Sequence, residues 1–460
     1  MMSKEGSICA QRIGKWKKYY LKEIAEVQTG PFGSQLHQKD YVIDGVPIIT
    51  VEHLGENRLL HENLPRVSEE DRTRLSKYVL REGDIVFSRV GSVDRRAYVN
   101  NDEDGWLFSG RCLRVRPISD ELDSKYLSYY FGLNSFKEYI RAIAVGSTMP
   151  SLNTTILSDI EIPLPPFPTQ RRIAAILSAL DEKIELNRQT NATLEAIAQA
   201  IFKEWFVDFN FPGTLVGAGS KPALKRSIPE GWHVGTLTDM IELNPKTSLK
   251  KGTIAKYVEM KDLSTGSAAI NSFIEREFSS GSKFQQGDTL LARITPCLEN
   301  GKTGFVDFLE KDEAGWGSTE FIVMRGKGVV SPYFVYCLAR QESFREFAIQ
   351  SMVGSSGRQR VVESILADFP IVIPDELTMA KYHSIAEPIF RKIKGCAYQS
   401  GILVQIRDNL LPKLMNGGID VRERTGLEPR AGLEPAPTAA TVLMTYEPIL
   451  TVNIYGHNEQ

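Results

Sequence analysis

Pro163-Leu164-Pro165-Pro166-Phe167-Pro168-Thr169-Gln170-Arg171-Arg172-Ile173-Ala174-Ala175-Ile176-Leu177-Ser178-Ala179-Leu180-Asp181-Glu182-Lys183-Ile184 decides how the chain is built. Its prolines close one kind of structure and open another, because a residue without an N–H ends a strand yet fits the first turn of a helix. From Thr169 to Phe206 no proline or glycine intervenes. Ile173, Leu177, Leu180, Ile184, Leu194, Ala198, Ile201 and Trp205 fall on two rows of seven-residue spacing, and Asn187 and Asn191 share those rows. At 1.5 Å rise per residue this predicts a helix ~57 Å long, too long to be packed around one small domain. A second segment, Thr378 to Leu411, carries Tyr382, Ile385, Ile389, Ile393, Cys396, Leu403, Ile406 and Leu410 in a similar stripe, interrupted by Pro388, Gly395 and Gly401. Heptad spacing favours a coiled-coil seam, in which Asn lowers stability but can fix register. The two helices are expected to pack on each other, antiparallel, each following its own globular unit. The alternative is a pair of amphipathic core helices inside one large α/β protein.

Outward from the helices, the sequence repeats. Gly83-Asp84-Ile85-Val86-Phe87-Ser88-Arg89 is echoed by Gly287-Asp288-Thr289-Leu290-Leu291-Ala292-Arg293, Gly105-Trp106 by Gly315-Trp316, Val145-Gly146-Ser147 by Val353-Gly354-Ser355, and Ile162-Pro163 by Ile373-Pro374. The offsets are 204, 210, 208 and 211 residues, a small drift across four landmarks in fixed order. A tandem duplication follows, and it argues against a single core. Each repeat opens with short β-branched runs bounded by Gly, Pro and Asp, such as Gly45 to Val51, which read as strands. Each closes on a helical signal, Ser124 to Ile140 and Pro332 to Gln350. The fold class is α+β, as two tandem similar units separated by two long antiparallel coiled-coil-like helices. The expected segments are an N-terminal extension 1–15, units 16–165 and 229–372, a central helix 166–210, a linker 211–228, a distal helix 373–416 and a tail 417–460. That tail repeats Gly426-Leu427-Glu428-Pro429 as Gly432-Leu433-Glu434-Pro435 without an apolar period, and is expected to be disordered.

The chain has 460 residues, 42% hydrophobic and 24% charged, with a net charge of −2. That length implies several domains, and that balance disfavours nonspecific wrapping of nucleic acid without excluding a local basic surface. No apolar run is long enough to span a membrane, and the polar, basic start lacks a secretory apolar core. Five scattered cysteines (Cys9, Cys112, Cys297, Cys337, Cys396) form no Cys-x-x-Cys pair. Reduced thiols and a cytoplasmic location are expected.

Catalytic patterns fail on inspection. Gly301-Lys302-Thr303 resembles the end of a phosphate loop, but Pro296 stands where its first glycine belongs. Pro165-Pro166-Phe167 resembles an amino-methyltransferase motif, yet Leu164 occupies the position of the amide or carboxylate that must bond the target amine. The six histidines (His37, His53, His61, His233, His383, His457) show no metal-ligand spacing. No Ser-centred nucleophile elbow occurs. Pro374-Asp375-Glu376 reads as a helix cap. A binding protein is expected, with no catalytic residue and no metal.

The run from Pro163 to Ile184 resembles the spacer-helix opening of the specificity (S) subunits of type I restriction-modification enzymes: a Pro-rich turn, Gln with a basic residue, an Ile/Leu stripe, then Asp-x-x-Ile. Leu410-Leu411-Pro412-Lys413-Leu414-Met415-Asn416-Gly417 is similar to the end of that family's distal helix. The second opening departs from the pattern, with Thr378-Met379-Ala380-Lys381 where Gln-Arg or Gln-Lys is usual, and nothing from Arg422 onward has a counterpart. The resemblance covers about residues 16–416. It implies two target recognition domains, each reading one half of a bipartite double-stranded DNA target, with the helices setting the gap. It also implies partners: two modification (M) subunits that hold S-adenosylmethionine and methylate adenine, and two restriction (R) subunits with the nuclease and the ATP-driven motor. S-adenosylmethionine, ATP and Mg2+ are therefore expected on the partners and no cofactor on this chain.

Arginine and lysine suit guanine, Asn and Gln suit adenine, and phosphates are met by Lys, Arg and small polar donors. On loops carried by a rigid sheet, the expected DNA-binding residues of the first unit are Lys39, Arg89, Arg95, Arg96, Ser147 and Thr148. Those of the second are Arg293, Lys302, Ser355, Ser356, Arg358 and Arg360. Recurrence of the Gly-Ser loop just before the last strand of each repeat motivates the choice. A solvated surface charge is the plain alternative for each cation taken singly. The expected helix-pair seam is Ile173, Leu177, Leu180, Ile184, Leu194 and Ile201 against Ile389, Ile393, Leu403, Ile406 and Leu410. Trp106 and Trp316 read as core aromatics. Two other readings remain at this point: a helical scaffold that organises partner proteins without reading DNA, and a fused nuclease or methylase with divergent motifs.

Overall fold

The doorway to each long helix is a two-stranded pairing that ties the start of a repeat to its end. In a computed structural model describing residues 16–31, 33, 35–146, 148–211, 228–270, 272–355 and 357–421, Lys17–Tyr20 pairs antiparallel with Glu161–Leu164, and His233–Thr236 with Pro370–Ile373. The chain divides into two compact units, one of residues up to Glu182 with those from Val404 on, the other Lys183–Leu403. Each long helix therefore contributes residues to both. The expected extension 1–15, linker residues 212–227 and the tail past 421 lie outside the described residues. Residues 417–421, expected to begin the tail, instead fold back: Ile419 and Val421 pack on the first unit's core, and Arg172 Nη1 donates to the Val421 carbonyl at 3.2 Å. Among the described residues no helix is long and apolar enough to cross a membrane.

The first unit contains an antiparallel sheet in the order Ala25–Thr29, Cys112–Pro117, Ile85–Ser88, Arg96–Tyr98. The second unit contains the same order, Ile241–Leu243, Phe321–Gly326, Thr289–Ala292, Thr303–Phe305. Each unit has a second sheet in which one pairing is parallel, Ile48 opposite Leu107 and Tyr257 opposite Trp316. The duplication is thus written into the topology as well as the sequence.

The repeated Gly-Asp landmark has a physical reason. Gly83 and Gly287 adopt φ of +90° and +86°, conformations that a side chain would strain. The following aspartates are buried, at 1% and 0% exposure. Asp84 accepts from the Arg81 backbone N–H at 2.8 Å and from Arg116 Nε and Nη2 at 2.7 and 2.6 Å. Asp288 does the same with the Gln285 N–H at 2.8 Å and with both Arg325 donors at 2.7 Å. Burial pushes the Asp288 carboxyl up and Arg325 opposes the shift. A buried ion pair joins two strands in each sheet, and loss of one partner strands the other. Trp316 is 2% exposed beside Tyr257 and Phe278, and Trp106 is half-buried against the first unit's core. Both are core aromatics.

The long helices run Phe167–Phe206 and Glu376–Met415, 40 residues each. Asp375 caps the second, accepting from the Thr378 N–H at 2.9 Å and from Trp232 Nε1 at 2.9 Å. Within the first unit, Ile173 and Leu177 share a cluster with Leu410, Leu411, Leu414 and Met415, and Arg407 Nη1 donates to Asp181 at 2.8 Å. Within the second, Leu194, Ile201 and Phe202 share a cluster with Tyr382, Ile389, Phe390 and Ile393. Asn187 donates to Gln399 at 3.0 Å and Asn191 to the Ile393 carbonyl at 3.3 Å. In both units rising numbers on one helix meet falling numbers on the other, so the pairing is antiparallel. Leu180 and Leu403 are buried, Ile184 and Ile406 half-buried. Ile385, read into the stripe, is 38% exposed, and Ala386 and Phe390 take its place inward. A helix of 3.6 residues per turn drifts off a strict seven-residue row over this length.

Candidate nucleic-acid interface

Two separate landmarks of the repeat converge on one corner in each unit. In the first, Val145 and Ser151 exchange backbone hydrogen bonds at 3.0 and 2.9 Å, closing the loop that contains Gly146, whose φ is +109°. The Leu152 N–H then donates to the Arg89 carbonyl at 2.9 Å, and the Gly91 N–H to the Pro150 carbonyl at 2.9 Å. The Gly-Ser loop is stitched to the arginine that ends the Gly-Asp strand. In the second unit Met352–Val353 pairs with Arg360–Val361 around Gly354, whose φ is +127°. The Val361 N–H donates to the Arg293 carbonyl at 2.9 Å and the Thr295 N–H to the Gln359 carbonyl at 3.1 Å. The same corner is built twice.

The expected residues separate once their partners are known. Lys39, Thr148, Ser355 and Arg358 are exposed. Ser147 and Ser356 lie outside the described residues. Arg89 is half-buried and donates to the Gly110 carbonyl at 3.1 Å and Thr29 Oγ1 at 3.4 Å. Arg360 grips Glu320 through Nε and Nη2 at 2.9 and 2.7 Å, and Arg293 Nε, itself buried and without a hydrogen-bond partner among the described residues, lies 3.8 Å from the same carboxylate. Three other cations turn inward. Arg95 bonds the Leu54 carbonyl, and Lys302 the Met260 carbonyl at 2.9 Å. Arg96, only 2% exposed, donates to the Ser128 carbonyl at 2.9 Å and to Glu56 at 3.0 Å. Burial lowers the Arg96 pKa and Glu56 partly restores it. Arg96 therefore braces the sheet against the helix Ser124–Tyr130 rather than presenting a charge outward.

Arg96 also borders a cavity of about 420 Å³ inside the first unit, lined in part by Glu56, Tyr129, Lys137, Asp181 and Arg407. Tyr129 donates to Asp181 at 2.6 Å, and Asp181 accepts in turn from Arg407. Burial works against the Arg407 charge, yet Asp181 and Asp408 raise its pKa. The globular part thus grips both helices through a polar network.

Two residues of the corners were invisible to single-residue charge reading. Arg111 is exposed and its carbonyl accepts the Arg89 N–H at 2.8 Å; Glu320 accepts the Arg293 N–H at 3.0 Å in the equivalent place. Only the register of the sheets, Cys112 opposite Ser88 and Phe321 opposite Ala292, reveals the match. Arg360 holds the Glu320 carboxyl below its usual range. Among the described residues no cluster of His, Cys, Asp and Glu is arranged to hold a metal.

Residues 13–196 match the family model described as the type I restriction modification DNA specificity domain. The specificity subunit of the type I restriction enzyme MjaIX of Methanocaldococcus jannaschii is 27% identical over 438 residues, 89% of this chain and 96% of that one. The specificity subunit of the HindI enzyme of Haemophilus influenzae is 23% identical over 470 residues, 88% of this chain and 100% of that one. Among solved structures, the S subunit of a type I restriction-modification system from M. genitalium covers 87% of this chain and 96% of its own length, at a TM-score of 0.52 and 16% identity. That likeness concerns the fold. Residues 13–196 thus match a type I DNA specificity domain, and along most of its length the chain is similar to specificity subunits of type I restriction enzymes.

Proposed function

We propose that each recognition unit reads one half of a bipartite double-stranded DNA target, with the corner bearing Arg89, Arg111 and Thr148 facing one half-site and that bearing Arg293, Arg358 and Arg360 facing the other. The observation that supports this most is the rebuilding of one arginine-bearing corner twice. Arginine with small polar neighbours on a braced loop suits both phosphate and guanine contacts. Ser355 flanks the second corner as a phosphate donor and the exposed Lys39 is a further phosphate donor of the first unit, while Arg95, Arg96 and Lys302 serve the scaffold. The paired helices set the gap: 40 residues at 1.5 Å rise give ~60 Å, or roughly 17 to 18 base pairs, enough for two half-sites and a nonspecific interval.

Chemistry belongs to partners in this reading. Two M subunits dock on the helices and supply S-adenosylmethionine, two R subunits supply ATP-driven cleavage with Mg2+, and this chain binds none of these. The setting is cytoplasmic.

The test uses the chain purified with its M subunits. Alanine at Arg89, Arg111 and Arg358 together should weaken binding to the preferred duplex by more than a hundredfold and flatten its salt dependence by roughly two to three in log–log slope. Unchanged affinity and slope would favour a scaffold that organises proteins without reading DNA. Methyl transfer or cleavage by the isolated chain would revive a fused enzyme.

A further inference from the structure

The two corners share a backbone but not a charge. In the first, Arg89 sits beside Arg111 and the loop returns at Ser151; in the second, Arg293 sits beside Glu320 and the loop returns at Arg360. Equivalent positions thus carry Arg and Ser in one unit and Glu and Arg in the other. Of the second corner's three arginines, Arg293 and Arg360 both lie against one carboxylate, that of Glu320. Glu320 is 23% exposed and Arg360 43%, so the pair faces solvent rather than the core.

Geometry decides what that pair can do. Glu320 takes the side-on edge of the guanidinium, Nε with Nη2. On the end-on edge, Nη1 makes no hydrogen bond among the described residues, and the side chain is 43% exposed. A guanidinium held on one edge by a carboxylate offers its other edge in a fixed direction to a pair of acceptors, and guanine O6 with N7 is such a pair in the major groove. The same carboxylate repels a phosphate that approaches either arginine and offsets one of their two charges. Attraction to bare backbone falls while a base edge at the right place is still met.

We infer that Glu320 is a specificity-determining residue of the second recognition unit, fixing Arg360 for a guanine edge and suppressing sequence-independent binding, a role Arg111 does not play in the first. This rests on the reading of the corners as DNA-facing.

The experiment uses the full chain with its M subunits, a random-duplex selection to define both half-sites, and binding to a mixed-sequence duplex over a salt series. Glu320→Gln should strengthen mixed-sequence binding several-fold at low salt and steepen its log–log salt slope by about 0.9, one further phosphate contact. It should also lower discrimination at one G·C pair of one half-site by about tenfold and leave the other half-site unchanged. Glu320→Arg, which copies the first corner, should steepen the slope further. Glu277→Gln, on the exposed strand Ile274–Glu277, controls for simple loss of a negative charge and should change neither. An unchanged slope and selection in Glu320→Gln, or an equal change in Glu277→Gln, overturns the assignment. Arg358→Ala separates the two levels: if it weakens binding while Glu320→Gln is silent, only the role of Glu320 fails; if it leaves binding intact, the DNA-facing corner fails with it.

Discussion

Both units hold the helices with apolar clusters, but the first adds a charged network around Asp181, whereas the second adds a dense aromatic cluster and the buried Glu195, which accepts from the Tyr336 hydroxyl at 3.0 Å. Around Asp181, the first uses Tyr129 and Arg407, beside the buried Arg96 and its exposed partner Glu56. The second packs Phe202, Trp205 and Phe206 against Phe334, Tyr382 and Trp232, with ring centroids 4.8 to 6.4 Å apart in the contacts Phe206–Phe334 and Phe202–Tyr382. Where the first helix opens, buried Gln170 donates to the Glu121 and Pro165 carbonyls at 2.8 and 2.9 Å and accepts from the Asp123 N–H at 3.0 Å. Met379, 1% exposed, fills the equivalent place in the second. One duplicated frame therefore tolerates two chemistries, because a frame needs its joints filled and its polar groups satisfied, not any particular residue.

What the two units share should show the largest effects. Asp84→Ala and Asp288→Ala each leave an arginine without its buried partner and should cost about 3–5 kcal/mol in urea unfolding, alike in both units. A large effect in one unit alone would mean that the repeats are held differently. Next comes the helix grip. Phe202→Ala opens a void in the aromatic cluster and should cost about 3–5 kcal/mol. Tyr129→Phe, which removes one hydrogen bond to a carboxylate, should cost about 1.5–3 kcal/mol in the same assay. Equal costs would erase the contrast between polar and apolar joints.

The landmarks that sequence displayed were those the backbone requires: the Gly-Asp turn, the Gly-Ser loop, the Ile-Pro exit and the helix stripe. Side-chain partnerships were hidden, because they form across long separations. Arg96 looked like Arg89, yet its guanidinium meets Ser128, 32 residues away, while the equivalent strand of the second unit places Thr303 there. Glu320 meets Arg360 across 40 residues. A lone arginine in a strand does not announce which face it takes, and a strand face is set by register. Gln170 was legible as part of a motif; the three backbone groups it serves were not.

Smaller differences sharpen the comparison further. Gln170→Met copies the second unit but strands backbone groups that the glutamine serves, and should cost about 1–3 kcal/mol. A neutral result would show that water or a neighbour replaces it. The smallest effect concerns Asp307, which stands after the strand Thr303–Phe305 as Asn100 stands after Arg96–Tyr98 in the first unit. Burial pushes its carboxyl from the usual 3.8 to about 6, with Lys394 opposing. A carboxyl raised on folding destabilises the fold once ionised: the penalty is absent below about pH 4, grows through the interval to pH 6 and is complete above it. Asp307→Asn should therefore stabilise by on the order of 1 kcal/mol at pH 7.5 and not at all at pH 4, read as the difference in unfolding midpoint between the two pH values.

Selection of bound duplexes from a random library, run with the native chain and with one heptad removed from each long helix in the same register, reaches the central claim most directly. Two constant blocks should emerge, separated by a fixed interval, and the shortened chain should return the same blocks with the interval reduced by roughly three base pairs. A single block, blocks that change with helix length, or an interval indifferent to it would contradict two heads held apart by a helical ruler.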